Sequence, residues 1–262
     1  MTLPVSWRGA GGAGPEGTVL RGTGLESTVP PALRGDGGTG LGPAGAAAGQ
    51  GSGDTWSERA EAYRESDAHR QGRDLDLFAE WAEGDTALDV GTGGGHVADR
   101  LRKAGLNVVT IDPAPGMKPD VVSRAEEIPF ADGSFDVVAC RVAAHHFQDP
   151  AAALKEMARA SRSLVLVSDN LFLGEDGEEA DRLHDPTHVR NYSEEEWREM
   201  FDAADLEVEA FEREDKRIDF QGWLERAGTP EDDAVRAREL LADRIEDGKL
   251  RLDRGIFKGR KR

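Results

Sequence analysis

The sequence predicts a doubly wound α/β fold: a mostly parallel, seven-stranded sheet with helical cover. Three observations carry that prediction. Short apolar runs alternate with stretches of helical periodicity from Thr86 onward. A glycine-rich turn, Gly91-Thr92-Gly93-Gly94-Gly95, leads from the first of these runs straight into a helix. An acid, Asp112, ends the second run, nineteen residues after Gly93.

Each element follows from its residues. Residues 1–53 hold 16 of the 32 glycines and show no period, so they are expected to form a disordered tail ahead of one domain over 54–262. Residues 55–83 read as helix in two pieces broken near Gly72. TALDV (86–90) is a short buried strand, residues 95–103 a helix, NVVTID (107–112) a second strand and DVV (120–122) a third. FDVVAC (135–140) is a fourth strand, followed by a helix over 150–160, and SLVLVSD (163–169) is a fifth. Helices are predicted over 175–183 and 193–203, then a strand over 206–212. A helical insertion over 219–246 is expected to cover the site at the strand ends before a last strand over 250–259. Ser193 and Thr229 are the expected helix caps, each followed by acids that suit a helix N-terminus.

Composition limits the partners. The net charge is -18, and residues 1–53 sum to zero, so the excess lies on 54–262. Such a field disfavours phosphate backbones and anionic membranes, which leaves nucleic acid and membrane insertion off the expected partners. Cys140 is the single cysteine, so neither an intramolecular disulfide nor a cysteine metal cluster can form. No apolar run reaches membrane-spanning length and no basic-then-apolar leader is visible, so a cytoplasmic location is the expectation.

The glycine-rich turn is the most informative segment. Gly91 and Gly93 permit backbone angles closed to other residues and let a ligand approach the main chain. Asp112 is placed to accept hydrogen bonds from a ribose, which suggests an adenosine-type ligand across the first two strands. A phosphate-binding P-loop would end in Gly-Lys-Ser/Thr, whereas Gly95 precedes His96-Val97. A nicotinamide-dinucleotide turn would carry glycine at its sixth position, where His96 stands.

The segment LDVGTGGGHVADRLRKAG, with VVTIDPAPGM and AEEIPFADGSFDVVACRVAAHHFQDP after it, resembles the class I S-adenosylmethionine (SAM)-dependent methyltransferases. It is especially similar to the ubiquinone/menaquinone-biosynthesis-like group. DPTHVRNYSEEEWREMF and WLERAGTPEDD look like small bacterial members of that group, and the similarity covers about 56–262. The resemblance implies a Rossmann-like methyltransferase fold, SAM as cofactor and a small-molecule methyl acceptor. By position it implies that Asp89 meets the methionine amino group while Gly91, Thr92 and Gly93 pass beneath the methionine. Asp112 would hold the ribose, with Pro113 and Met117 against the adenine and Ala125 and Glu126 along its edge. Cys140 and Arg141 would line the sulfonium side, and Tyr63 and His69 would approach the carboxylate. One departure stands out: many relatives carry an acid before Ala125, where this chain has Arg124, which cannot accept a hydrogen bond.

His145 and His146 follow the fourth strand, where the methyl group would face its acceptor. Two readings stand: one is a general base for an acceptor that sheds a proton, the other is packing and local hydrogen bonding. His184, Asp185 and His188 could approach one another as metal ligands, but lack a further clear ligand. The preferred reading is an acceptor-facing loop with no metal. Two other activities fit a nucleotide-binding sheet, an NAD-dependent oxidoreductase and a non-catalytic SAM-binding protein.

Overall fold

The computed structural model describes residues 56–57 and 70–262. The glycine-rich 1–53 segment, Tyr63 and His69 lie outside the described residues. The elements in order are α1 (Arg73–Trp81), β1 (Thr86–Val90), α2 (His96–Lys103), β2 (Asn107–Asp112), β3 (Val121–Val122) and β4 (Phe135–Arg141). Then come α3 (Pro150–Ala160), β5 (Ser161–Asn170), α4 (Glu175–His184), α5 (Glu194–Ala203) and β6 (Leu206–Asp219). The chain closes with α6 (Phe220–Ala227), α7 (Glu231–Leu240), β7 (Ile245–Glu246) and β8 (Lys249–Lys261).

The sheet runs β3-β2-β1-β4-β5-β8-β6, so seven strands lie on its main path. The two-residue β7 pairs with β8 off that path, an addition that its length hides from any sequence pattern. From β3 to β5 neighbouring strands are parallel, and β8 runs antiparallel between β5 and β6. The order reverses at β1 and β4, which makes their carboxyl ends the switch point where ligands bind in such sheets.

Side-chain alternation assigns each face its helices. Leu88 and Val90 of β1, Val138 and Cys140 of β4, and Val165 and Val167 of β5 meet Leu154 and Met157 of α3 and Trp197 and Phe201 of α5. The intervening residues Ala87, Val137, Ala139, Leu164 and Leu166 meet Leu75 and Phe78 of α1 and Leu101 of α2. Both faces are covered, which is why these strands read as continuous apolar runs. Ser193 caps α5 in a full capping box with Glu196, as its sequence suggests. Thr229 does not cap α7: Pro230 is the cap residue, and the Thr229 hydroxyl donates to Leu224 O at 3.0 Å, closing α6.

The last two strands depart most from expectation. Strand β6 continues to Asp219 and β8 begins at Lys249, in register over Arg213↔Gly255 to Asp219↔Lys249. The connection is therefore 220–248, shorter than the expected forty residues, and the remainder is a two-stranded arm. Residues 213–219 alternate between half-buried and exposed along the arm, and their charge masks that period in the sequence. Because Asn170, the last residue of β5, pairs with Arg254, the arm projects beyond the carboxyl ends of the parallel strands. At its tip Phe220, Trp223, Leu224, Ala237 and Leu241 form a separate small core with Ala180 of α4.

The start of β1 is held by one carboxylate. Asp136 of β4 accepts from Asp85 N and Thr86 N at 3.0 Å, from Thr86 Oγ1 at 2.8 Å and from Arg162 Nη1 at 2.8 Å. Burial opposes its ionisation, but these donors outweigh it and hold the carboxyl at about 2, below the ordinary 3.8. A group whose folded pKa is depressed contributes fully above its unfolded value and loses that contribution as pH falls. Asp136→Ala is expected to lower stability by about 2–3 kcal/mol at neutral pH. In urea denaturation the gap between wild type and variant should close as pH falls from 4 to 2. A gap that stays constant across that window would mean that the charge is irrelevant.

Candidate functional site

The glycine-rich turn is bent back onto β2. Gly91 N and Thr92 N both donate to Ile111 O, at 2.9 and 3.1 Å, and Gly95 N donates to Thr92 O. Gly91, Gly93 and Gly95 have φ of 65, 50 and 81°, the left-handed region that glycine tolerates. A Cβ on Gly91 would stand 2.8 Å from the Ala143 Cβ, so this glycine lets the turn pass against the segment after β4. On Gly95 a Cβ would meet nothing, and on Gly93 only Gly91 O at 4.0 Å, so the turn's outer side is open.

Two buried carboxylates brace the turn. Asp89 accepts from Thr92 Oγ1 at 2.6 Å and from Ala98 N at 3.1 Å, tying β1 to both the turn and α2. Burial pushes its carboxyl up to about 6 against those two donors. Asp112 accepts from Gly93 N at 3.0 Å through one oxygen and from Ala114 N at 2.9 Å through the other. Burial raises it too. Each Asp112 oxygen keeps a second lone pair for a further donor.

Beyond β2, Met117 and Ala114 pack with Trp56, and Gly116 N donates to Ser57 Oγ at 3.0 Å. The Trp56 ring also stands edge-on to His146, with centroids 4.7 Å apart. Trp56 thus spans the turns that follow β2 and β4. Ala125 is buried, and Glu126 Oε1 accepts from Gln148 N at 3.0 Å and from Arg124 Nη2 at 3.2 Å. Glu126 therefore braces the segment before α3, and Arg124 pairs with it.

Cys140 and Arg141 close β4 on opposite faces. The Cys140 thiol lies in the α3–α5 core, where burial pushes its pKa up. The Arg141 guanidinium turns to the α1 face and makes a two-point contact with Asp74, Nε at 2.7 Å and Nη2 at 3.1 Å. Arg254 Nη1 reaches the same carboxylate at 3.1 Å, and Ser168 Oγ at 3.3 Å.

After Arg141 the backbone is strained. Val142 holds φ at 52°, where a β-branched residue is a genuine outlier. The kink lets Val142 N reach Ser168 O at 2.7 Å and throws the chain into the short helical turn Ala144–His146. Strain of this kind collects at functional sites. The two histidines there are held differently. His145 Nδ1 stands 2.6 Å from Asp169 Oδ1, while Asp169 Oδ2 accepts from His145 N at 3.1 Å. Burial works against a charged His145, but Asp169 outweighs it and raises the imidazole pKa. His146 contacts Thr187 O at 3.2 Å, and burial, reinforced by the charge of His145, drops it to about 3. One ring is poised to carry a proton and its neighbour stays neutral.

The segment His184-Asp185-x-x-His188 does not converge. His184 stacks on Trp223 at 3.8 Å, and Asp185 accepts from Thr187 N and Oγ1. His188 goes instead to Glu178 Oε2 at 3.0 Å, with its ring centroid 5.6 Å from that of His145.

Known proteins match this geometry. The methyltransferase-domain family Methyltransf_11 matches residues 88–164, from the middle of β1 into β5. The uncharacterized methyltransferase YcgJ of Bacillus subtilis is 33% identical over 202 residues, 68% of this chain and 80% of YcgJ. The chain belongs to the class I SAM-dependent methyltransferases. The crystal structure of YcgJ superposes with a TM-score of 0.64 at 28% identity, covering 72% of this chain and 98% of YcgJ. Demethylmenaquinone methyltransferase of Renibacterium salmoninarum is 35% identical over 89 residues, 30% of this chain and 38% of that enzyme.

Several groups that shape this methyltransferase's site escape sequence reasoning. Asp74, Asp169 and Glu178 meet Arg141, His145 and His188 across 67, 24 and 10 residues. No local spacing marks the first two. Glu178 was legible only as an acid on a predicted helix ahead of His188. Gly91→Ala should test the turn without any ligand. The left-handed φ and the Ala143 contact together predict a loss of roughly 2 kcal/mol or more in chemical denaturation. An unchanged midpoint would mean that the turn relaxes freely.

Proposed function

We propose that this methyltransferase moves the methyl group of SAM to a small-molecule acceptor whose target atom gives up a proton, with His145 as the base. The observation that carries the base is the Asp169–His145 pair. With Nδ1–H directed at Asp169, the Nε2 lone pair is left to take a proton, and the carboxylate stabilises the imidazolium that results. His146, with its pKa pushed down, stays neutral beside it.

The residues present fit the cofactor. Gly91, Thr92 and Gly93 would pass beneath its methionine part, with Asp89 meeting the amino group directly or through water. Asp112 would hold the ribose hydroxyls through its remaining lone pairs. Pro113, Met117 and Ala125 give an apolar surface for the adenine. Arg124 and the Glu126 Oε1 atom are paired with each other, so the adenine edge is read by main-chain groups along Ala125 and Glu126. Cys140 and Arg141 would contribute main-chain atoms beside the sulfonium, since both side chains turn into packed surroundings. SAM, when bound, supplies an electrophilic methyl and leaves as S-adenosylhomocysteine.

A small acceptor is favoured by what stands beyond the strand ends. The arm of β6 and β8 carries α6 and α7 to that side, where Trp223 stacks on His184 and Arg236 pairs with Glu179 at 3.0 Å. A roof built this way suits an enclosed metabolite better than a flat macromolecular surface.

The cofactor reading is tested by titration with SAM. Asp112→Ala should bind it about ten- to a hundred-fold more weakly, and an unchanged affinity would overturn the ribose role. The base is tested by labelled methyl transfer into a metabolite extract, followed by kinetics on the acceptor found. His145→Asn should lower kcat by about 10²–10⁴ with SAM affinity unchanged. Asp169→Asn should lower kcat more than it changes KM. Full turnover by His145→Asn would sink the base. Replacing 220–248 by a tight turn should spare SAM binding and remove turnover; turnover retained there would rule out the roof.

A further inference from the structure

We propose that Glu178, Asp181 and His188 form a divalent-cation site beside His145, a reading that rests on the acceptor side assigned above. Glu178 and Asp181 lie three residues apart on α4 and share one face of it. His188, from the turn that follows α4, folds back against that face. One ligand atom from each of the three lies within 4.8 Å of the others. At metal–ligand bonds of about 2.1 Å, neighbouring ligands stand about 3.0–3.4 Å apart. His188 Nε2 and Glu178 Oε2 already have that spacing, at 3.0 Å. Asp181, half-buried, closes the remainder by a shift of at most about 1.4–1.8 Å at its carboxylate, within reach of a rotamer change.

A second observation points the same way. Asn191 is 2% exposed, and its Oδ1 has no hydrogen-bond partner. Its Nδ2 donates to Asp181 Oδ2 at 2.7 Å, so the whole amide faces the cluster. A half-turn of that amide exchanges oxygen for nitrogen and offers a fourth oxygen ligand beside Asp181. Hydrogen bonding alone accounts for Glu178–His188 and Asn191–Asp181, yet strands the Asn191 oxygen in a dry place. Glu178 Oε1 also accepts from the backbone N of Asn191 at 3.0 Å, so the carboxylate is held with its oxygens toward the cluster. Arg182, half exposed, stands 3.9 Å from Glu178. The Glu178 and His188 side chains are only 4% and 3% exposed, so an ion held there would be shielded from water.

One imidazole with two carboxylates and an amide oxygen suits a borderline first-row ion such as Mn2+ or Zn2+. Three or four protein ligands leave a coordination position for a substrate oxygen. The His188 ring is 5.6 Å from that of His145, so an oxygen held by the ion would lie near the base. The ion would also lower the pKa of that oxygen. The ligands come from α4 and His188, not from the His184–Asp185 pair, which is engaged elsewhere.

The test uses the full chain, stripped with EDTA, dialysed, and titrated with Mn2+ by calorimetry and by the loss of free Mn2+ signal in electron paramagnetic resonance. One ion per chain is expected. Asp181→Asn and His188→Gln should each weaken binding at least about tenfold. Glu175→Gln, exposed a turn earlier on the same helix, should leave it unchanged. Asn191→Asp, which supplies a charged oxygen without an amide rotation, should tighten binding and keeps the test decisive if another variant fails to fold. No saturable binding by wild type, or binding indifferent to Asp181→Asn and His188→Gln, overturns the site. SAM titration of the same samples separates the two readings: SAM bound without Mn2+ sinks the cation site alone, and Mn2+ bound without SAM sinks the cofactor reading alone.

Discussion

The arrangement of the carboxyl-end surface depends on one buried carboxylate. Asp74 on α1 is fully buried, and burial alone would raise its pKa, but Arg141 and Arg254 hold it well below the usual carboxylate range. Its two oxygens tie together α1, the end of β4 and β8, with Ser168 adding β5. Buried ion pairs of this kind contribute little net stability against an apolar alternative, but fix geometry, because any other arrangement strands a charge. The second arm of Arg254 reaches Asn170 Oδ1 at 3.1 Å, and Asn170 follows Asp169, the partner of His145. The position of the proposed base is thus linked, through three short polar steps, to the packing of α1 on the sheet.

Around that junction the backbone is bent on purpose. Gly91 turns tightly because it has no side chain, whereas Val142 turns in spite of having one. The first is a conformation glycine adopts at little cost; the second stores strain offset by the Ser168 carbonyl and the histidine turn that follows. Between them, the two bends bring the chain after β4 against the glycine-rich turn, at the point where strand order reverses. The opposite charge preferences of His145 and His146 follow from their surroundings: Asp169 outweighs burial at the first, whereas burial and the charge of His145 prevail at the second.

Most of the framework was legible in the sequence. Strands buried on both faces announce themselves as apolar runs, and the turn and Asp112 mark where β1 and β2 end. Legibility failed where a fold signal is carried by charge or by distance. Residues 213–219 form a strand although nearly every side chain is charged or polar, because the partner strand supplies the hydrogen bonds. Thr229 looked like a cap, yet its hydroxyl is taken by the helix it follows. Asp74 and Asp169 gave no signal, since two acids among 51 are singled out only by the arginine and histidine that the fold brings to them. The motif put Arg141 at the end of β4, but could not tell that its guanidinium turns away to Asp74.

The projecting arm separates two kinds of change in evolution and in engineering. Its strands are pinned over thirteen register pairs, from Leu206↔Lys261 to Asp219↔Lys249, so the main sheet is closed before the chain reaches the tip. The closure entropy of whatever joins Asp219 to Lys249 grows only slowly with its length. The tip segment also has its own small core, distinct from those on the two sheet faces. A lineage can therefore lengthen, shorten or exchange that segment at small cost to the folding of the sheet. Under the function proposed here, acceptor preference becomes a nearly independent variable, hung on a frame whose glycine-rich turn need not change with it.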